Sequence, residues 1–354
     1  MPPVTLHLVD PSGPGAARWL CRLARAHAGH AQMVALGSRP VDGCVRRIPV
    51  PAGSVRLAAA ALERLAEETG AALLVAWGVR PVQVASRARD GAGRLLVMDT
   101  VPEVAWVPFD AEVLCLGDAV ADRAMQAGWP PMRIRVLAPP VPAMAEPDPS
   151  GTLRSAWRAT RGIPASAFVV GLLSASPADG HAQKALHAVG RVRMAGVDAR
   201  LVLDPAVAQA GAMQVFARSI GLRDAVVFDP ESRTPERLAA AVDAWISIPC
   251  DGNDGTALDP AVGAGLHAPL VVSAGSLAAR GVVAGAEALV AEPPNAMAAA
   301  LLGLAEDRAR GPVLASALRV RYASQAVRQA FAAFIAEAAA RASIRHHSSA
   351  AESA

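Results

Sequence analysis

Residues 248–273 read IPCDGNDGTALDPAVGAGLHAPLVVS, and this segment gives the clearest indication of the fold class. A strand ends at Pro249, a loop rich in glycine and aspartate follows, and a new strand begins at Pro269. Between the strands, Asp259 can cap a helix that has Pro260 at its first position. The order strand, loop, helix and strand predicts one unit of a parallel α/β sheet.

The same alternation of strands and helices continues along the chain. Short β-branched or leucine-rich runs alternate with longer segments of helical period, once before and once after a proline-rich stretch at 138–151. We therefore predict an α/β protein with two Rossmann-like domains, 1–140 and 141–312, whose parallel sheets face a central cleft. An alanine-rich helix over 313–342 is predicted to cross back to the first domain, and residues 343–354 to form a disordered tail.

Composition and charge exclude several classes of protein. The chain is 53% hydrophobic and 18% charged, which excludes a mostly disordered protein. No apolar run approaches the roughly 18 residues that a membrane span needs. A net charge of +3 and 4% aromatic residues do not favour nucleic-acid binding. The first residues do not resemble a signal peptide, and the cysteine spacing indicates neither a zinc site nor a disulfide framework, so we expect a cytoplasmic protein.

The loops that follow the strands of the first domain contain candidate ligand-binding residues, because ligands of parallel sheets bind beyond the carboxyl ends of the strands. Gly13 and Gly15 lie in the loop after the first strand, Trp77 and Arg80 follow the fourth, and Asp99 follows the fifth. The alternatives are a plain turn at the glycines, core packing for Trp77 and a solvated helix start for Arg80. The first loop lacks the GxGxxG pattern, which disfavours a nicotinamide-dependent enzyme.

A family resemblance rests on four further passages besides the 254–273 segment. They are GLRDAVVFDPES (221–232), RLAAAVDAWISIP (237–249), LCLGDAVADRAMQAGWPPMRIRVLAPPV (114–141) and SGPGAARWLCRLARAHAGH (12–30). Together they resemble the GT-B glycosyltransferases. The second half is similar to the retaining, family-four type (glycosyl transferases group 1), which takes sugars from nucleotide-sugar donors. The resemblance spans nearly all of residues 1–310, as a looser pattern in the first domain.

The resemblance implies a hexosyltransferase that moves sugar from a nucleotide-sugar donor to a saccharide or lipid-linked acceptor in polysaccharide or glycoconjugate assembly. It implies no cofactor and no metal, since the nucleotide-sugar is a substrate. Asp99 and Asp254 are the expected catalytic residues, and Trp77, Arg80, Gly13 and Gly15 the acceptor-side ones. The expected donor-binding residues are Gly255, Thr256, Leu258, Pro230, Glu231, Arg233, Ser174 and Lys184.

Two departures from the family pattern bear on activity. Val262 stands where the resemblance implies a carboxylate that contacts the donor ribose, and Ala175 stands where it implies an arginine for the diphosphate. The loss of charge-assisted hydrogen bonds predicts weak donor binding. The alternative function is therefore a catalytically silent GT-B protein that acts as a binding or scaffolding partner of an active transferase. An epimerase of similar fold would need a set of catalytic carboxylates and histidines in the cleft, and the sequence does not indicate such a set.

Arginines of the first domain suggest a further partner. Three of them share one face of the first helix and two more belong to another element: Arg18, Arg22, Arg25, Arg46 and Arg47. Such a stripe can contact anionic headgroups, which would make the protein peripheral at the inner face of the membrane, or it can be a solvated helix face.

Overall fold

The computed structural model describes residues 4–10, 15–28, 32–37, 46–48, 54–88, 92–102, 111–141, 150–173, 181–203, 210–229, 238–249 and 256–352. Side chains are described for the same residues except 15–18, 27–28, 210 and 345–352. Internal contacts divide the chain into two compact units. Unit 1 comprises Met1–Pro142 and Gln325–Ala354, and unit 2 comprises Ala143–Ser324.

Unit 1 contains a sheet of seven parallel strands in the order β3-β2-β1-β4-β5-β6-β7. The strands are β1 (Val4–Val9), β2 (Gln32–Leu36), β3 (Arg46–Ile48), β4 (Ala71–Trp77), β5 (Gly93–Met98), β6 (Ala111–Cys115) and β7 (Ile134–Val136). Its first four helices are α1 (Gly15–Ala28), α2 (Val55–Thr69), α3 (Val79–Ala85) and α4 (Asp118–Gln126), and a 3-10 turn at Pro131–Arg133 precedes β7.

Local sequence explains where helix α2 begins and ends. The Ser54 hydroxyl accepts a hydrogen bond from the Leu57 N–H at 3.3 Å, which caps the amino end of the helix. At the other end Gly70 has a φ of 63°, a left-handed conformation that favours glycine and stops the helix. The next strand, β4, is buried along its whole length, as expected for a central strand of a parallel sheet.

Unit 2 contains a sheet of six parallel strands in the order β10-β9-β8-β11-β12-β13. The strands are β8 (Phe168–Leu173), β9 (Ala199–Leu203), β10 (Val226–Phe228), β11 (Ala244–Ser247), β12 (Leu270–Ser273) and β13 (Leu289–Ala291). The helices are α5 (Thr152–Thr160), α6 (His181–Met194), α7 (Ala210–Ser219), α8 (Asp259–Gly265), α9 (Leu277–Arg280), α10 (Asn295–Glu306) and α11 (Arg310–Tyr322), and a 3-10 turn at Arg223–Ala225 precedes β10.

Side-chain alternation along the strands builds the core of unit 2. Phe168, Val170 and Leu172 of β8 lie in one apolar cluster with residues of α6 and α10. On the opposite face of β8, a Cβ at Gly171 would lie 2.3 Å from the Trp245 ring, so the indole packs directly on the glycine. Only a residue without a side chain leaves room for that ring.

The predicted elements agree closely with the observed ones. The short apolar runs of the sequence predict strands near 4–9, 32–36, 44–50, 72–76, 94–99, 112–116, 134–138, 167–174, 199–204, 225–228, 243–249, 269–273 and 287–291. A strand is present at each of these places, and both sheets are parallel. Helices α5 and α9 were not predicted, and a helix that the helical period predicts near 234–242 lies partly outside the described residues. Among the helices of the described ranges, none combines the length and the apolar character needed to cross a bilayer.

The prediction of a single helix over 313–342 is wrong. The structure has two helices, α11 and α12 (Gln325–Glu352), and the division into units falls between them. The end of α11 is held in unit 2, because the Tyr322 hydroxyl donates a hydrogen bond to the Gly281 carbonyl and Arg321 pairs with Glu287 at 3.0 Å. Propensity alone does not reveal this break, since alanine-rich sequence continues on both sides of it.

Helix α12 also corrects the prediction of a disordered tail. The helix continues to Glu352, so most of 343–354 is helical. Its buried residues pack on unit 1, where the Phe331 ring lies 6.0 Å from Trp77 and Arg341 donates to both carboxylate oxygens of Glu112 at 3.1 and 2.6 Å. Once these contacts order the helix, each further residue adds one backbone hydrogen bond without a new nucleation cost.

Candidate functional site

Both units have their topological switch point next to their first strand. In unit 1 the neighbours of β1 are β2 and β4, and in unit 2 the neighbours of β8 are β9 and β11. The chain therefore leaves two adjacent strands in opposite directions, and the loops after those strands leave a crevice in which ligands of open α/β sheets bind. Candidate ligand-binding residues are therefore those in the loops after β1 and β4 and in the loops after β8 and β11.

An ion pair joins the two loops at the switch point of unit 1. Asp10 directly follows β1, and Arg80 lies in the first turn of α3 after β4. Arg80 Nη1 is 3.5 Å from Asp10 Oδ2, with the arginine side chain 29% exposed and the aspartate 8%. Guanidinium and carboxylate groups offer both donors and acceptors, the combination that hydroxyl-rich ligands need.

Asp99 lies at the same edge of this sheet, after β5. Its carboxyl group is buried beside Gly78, where an added Cβ would be 3.8 Å from Asp99 Oδ1 and 2.6 Å from Leu20 Cδ1. Gly78 also has a φ of 84°, so glycine is required both for space and for backbone conformation. Of the residues predicted in unit 1, the structure thus brings Arg80 and Asp99 to one edge, with Asp10 as an addition. Gly15 begins α1, and Gly13 lies outside the described residues.

Trp77 is a core residue of unit 1, which is the alternative that the sequence analysis gave for this position. The side chain is 1% exposed, and its Nε1–H donates a hydrogen bond to His7 Nδ1 at 3.2 Å. The two rings are stacked at 5.8 Å, and Phe331 packs against the indole. Because Nδ1 accepts this bond, a neutral His7 carries its proton on Nε2. Trp77 therefore packs in the core of unit 1 instead of offering its ring to a ligand.

In unit 2, a buried hydrogen bond closes the base of the loop between β11 and α8. Ser247, the last residue of β11, donates through its hydroxyl to Oδ2 of Asp259, the first residue of α8. Both side chains are buried. The predicted role of Asp259 as helix cap is wrong: the helix begins at Asp259, Leu258 precedes it, and the carboxylate binds the strand end instead. The pair holds together the two ends of the loop that carries the predicted donor-binding residues.

The described part of that loop is well packed. Thr256 is buried, and its hydroxyl oxygen accepts a hydrogen bond from the Leu258 N–H at 3.1 Å. Leu258 and Val262 are buried as well, so position 262 contributes an apolar side chain to the interior. Asp254 and Gly255 lie outside the described residues.

The other predicted donor-binding positions follow β8 and β10 in the sequence. Lys184 is half-buried in the first turn of α6, whereas Ser174 and Ala175 lie outside the described residues, as do Pro230, Glu231 and Arg233. Asp229, which directly precedes the last three, is completely buried. It accepts a hydrogen bond from Trp157 Nε1 at 2.8 Å and pairs with Arg161.

Sequence reasoning missed three of these groups: Asp10, the Ser247–Asp259 pair and Asp229. Each aspartate directly follows a strand or begins a helix, which is a signal in principle, but the partners are distant in sequence. Within the described ranges, no group of three or more histidine, cysteine or acidic side chains could hold a metal ion.

Comparison with known proteins shows which fold this is. No protein-family model and no curated protein sequence matches the chain. Among solved structures, Anabaena Alr3699/HepE in complex with UDP-glucose is similar over 94% of this chain and 99% of that one, with 16% identity and a TM-score of 0.73. The chain has the GT-B fold.

Two further GT-B structures are similar to nearly the same extent. A glycosyltransferase from Rickettsia africae matches with 12% identity and a TM-score of 0.69, over 96% of this chain and 98% of that one. WaaG, a glycosyltransferase involved in lipopolysaccharide biosynthesis, matches with 14% identity and a TM-score of 0.68, over 92% and 96%. The predicted fold class, two Rossmann-like domains of parallel sheet, is confirmed.

Proposed function

We propose that this GT-B protein is a glycosyltransferase that moves a hexose from a nucleotide-sugar to a saccharide or lipid-linked acceptor. The observation that carries the proposal is the similarity of almost the whole chain to a protein solved with UDP-glucose bound. The sugar-transfer enzymes among its structural neighbours favour an enzyme over a silent scaffold.

The donor is proposed to bind at the switch point of unit 2. Glycine-rich backbone at 252–255 and the buried Thr256 suit close approach by phosphates, and the Ser247–Asp259 pair fixes the ends of that loop. Asp254 would bind the sugar, and Lys184 would supply positive charge to the diphosphate. With alanine at 175 and a buried valine at 262, the site has fewer anchors than the family pattern implies, so we expect a weak donor affinity.

The acceptor is proposed to bind at the edge of unit 1 formed by Asp10, Arg80 and Asp99. During transfer, the bond between the anomeric carbon and the diphosphate oxygen breaks, and the acceptor hydroxyl oxygen bonds to that carbon. The hydroxyl proton leaves to a base, a role open to the Asp99 carboxylate. The nucleoside diphosphate is the leaving group, and the reaction is proposed to need neither metal nor cofactor.

Peripheral membrane contact at the cytoplasmic face is a further part of the proposal. Arg25, Arg46 and Arg47 are exposed on unit 1, although Arg46 also pairs with Glu68 at 3.0 Å. Anionic headgroups attract such side chains by about 1 kcal/mol each. Co-sedimentation with phosphatidylglycerol vesicles, and none with phosphatidylcholine vesicles, would support it.

The test of the donor proposal is calorimetric titration with UDP-, GDP-, ADP- and CMP-sugars, followed by transfer assays with the sugar that binds. Lys184→Gln should weaken binding by roughly 10- to 100-fold, the value of one charge-assisted hydrogen bond. Arg191→Gln, at an exposed position of the same helix, is the matched control and should bind as wild type does.

The kinetics of the Asp99→Asn variant distinguish the glycosyltransferase hypothesis from the hypothesis of a catalytically silent protein. In an enzyme, this change should lower turnover while leaving donor affinity unchanged, because Asp99 lies in the acceptor unit. Binding without transfer to any acceptor would favour the scaffold. A folded wild type that binds no nucleotide-sugar would refute the donor proposal.

A further inference from the structure

A cavity lies in unit 2 between helix α7 and strand β10. It has a volume of about 150 Å³ and is lined by Gln214, Ala217, Arg218, Arg223, Val226 and Phe228. Strand β10 is an edge strand of the sheet, and the cavity walls come from α7, the 3-10 turn and β10 itself. None of these residues belongs to the donor or acceptor sites proposed above.

The charge around this cavity is unbalanced. Two nearby arginines are neutralised, because Arg193 and Arg200 pair with Asp198 and Asp224 at distances of 2.7 to 3.7 Å. Arg218 and Arg223 form no ion pair with another described residue. Among these described side chains, four arginines thus accompany two aspartates, and the surplus of two positive charges belongs to the cavity wall.

The rest of the lining indicates the size and character of a ligand. Ala217 is buried and Val226 and Phe228 are half-buried, so an apolar surface lies beside the two guanidinium groups. Gln214 adds an amide that can donate or accept. A volume of 150 Å³ equals that of about five water molecules in the liquid, enough for a phosphate group with a small substituent.

We propose that the α7–β10 cavity binds a phosphate group. A phosphate monoester carries about 1.5 to 2 negative charges at neutral pH, which matches the surplus, and arginine binds phosphate oxygens through paired N–H groups. The group can come from inorganic phosphate or from a small phosphorylated compound whose substituent contacts Phe228. The proposal does not depend on the donor site, and it is tested without a nucleotide-sugar.

The test is thermal unfolding of the full chain with inorganic phosphate, glucose 6-phosphate and AMP, each at constant ionic strength set with potassium chloride. Wild type should gain stability saturably in the millimolar range. Arg218→Gln and Arg223→Gln should each weaken the apparent Kd about 10-fold, and the double change should abolish the effect. Both side chains are exposed, so these variants should fold, and circular dichroism verifies it.

Arg191→Gln serves as the control, since this arginine is exposed in unit 2 but does not line the cavity. It should respond as wild type does. Tighter binding of glucose 6-phosphate or AMP than of phosphate would identify a phosphorylated compound as the ligand, and equal binding would identify free phosphate. The proposal is overturned if no probe saturates, or if phosphate stabilises the double variant as much as the Arg191→Gln control.

Discussion

Replacement of Arg158 by methionine should destabilise the protein far more than replacement of Arg154, although both arginines bind the same carboxylate. Arg158 Nη2 lies 2.7 Å from Asp243 Oδ2, and Arg154 contacts the other oxygen. The difference is burial: the Arg158 side chain is 3% exposed and that of Arg154 is 32% exposed. Burial lowers the pKa of Arg158, an effect that Asp243 opposes.

The expected loss of unfolding free energy in Arg158→Met follows from the groups that lose a hydrogen-bond or charge partner. Arg158 also donates to three backbone carbonyls, those of Ala165, Ala167 and Ala241, at 2.8 to 3.1 Å. Breaking a buried charge pair by removing one member costs about 3 to 5 kcal/mol. A partly exposed pair contributes up to about 1 kcal/mol, which is the loss expected for Arg154→Met.

The assay is urea unfolding of the two variants and wild type, followed by circular dichroism and by tryptophan fluorescence. Two probes are needed because two units can unfold separately, and only a coincident transition justifies a single free energy. Methionine retains most of the length of the arginine stem, so the comparison isolates the charged groups. Equal losses in the two variants, or a larger loss for Arg154→Met, would refute the reasoning that burial decides the contribution of each arginine.

Three other predictions concern single positions. His267 has a φ of 58°, and its pKa is lowered by burial first and by a neighbouring arginine second. The unfolded chain therefore takes up the proton first as pH falls below about 6.5. Wild type should lose stability relative to His267→Asn in that range, and parallel pH dependence in urea titrations would contradict this. Gly171→Ala should destabilise the protein by about 1 to 3 kcal/mol, because the added Cβ clashes with Trp245. Gly303→Ala has open space around its Cβ and should stabilise the protein by up to about 1 kcal/mol. Thermal unfolding compares the two variants, and equal shifts in Tm would contradict the steric argument. Burial raises the pKa of Cys115 to about 12, so peptide mapping should find it unlabelled by iodoacetamide at neutral pH until the protein unfolds.

The sequence by itself determined the architecture of both units. Strands such as 71–77 are buried on both faces and appear as continuous apolar runs, and the loop, helix and strand at 254–273 are defined by local glycine and proline. These signals arise within a few residues, because backbone preferences and side-chain periodicity are local. They were sufficient to predict every observed strand in two parallel α/β domains, whereas the GT-B fold was indicated by the family resemblance.

The partners of the charged and polar groups were decided only by the tertiary structure. Asp10 and Arg80 are 70 residues apart, and they pair only because β1 and β4 are neighbours in the sheet. Ser247 and Asp259 are brought together by the turn of the chain from β11 into α8, and helix α5 is held by the distant Asp243. Ion pairs and buried hydrogen bonds depend on distances of a few ångströms between remote segments. A linear pattern of residues does not specify those distances, because they follow from how the strands and helices pack.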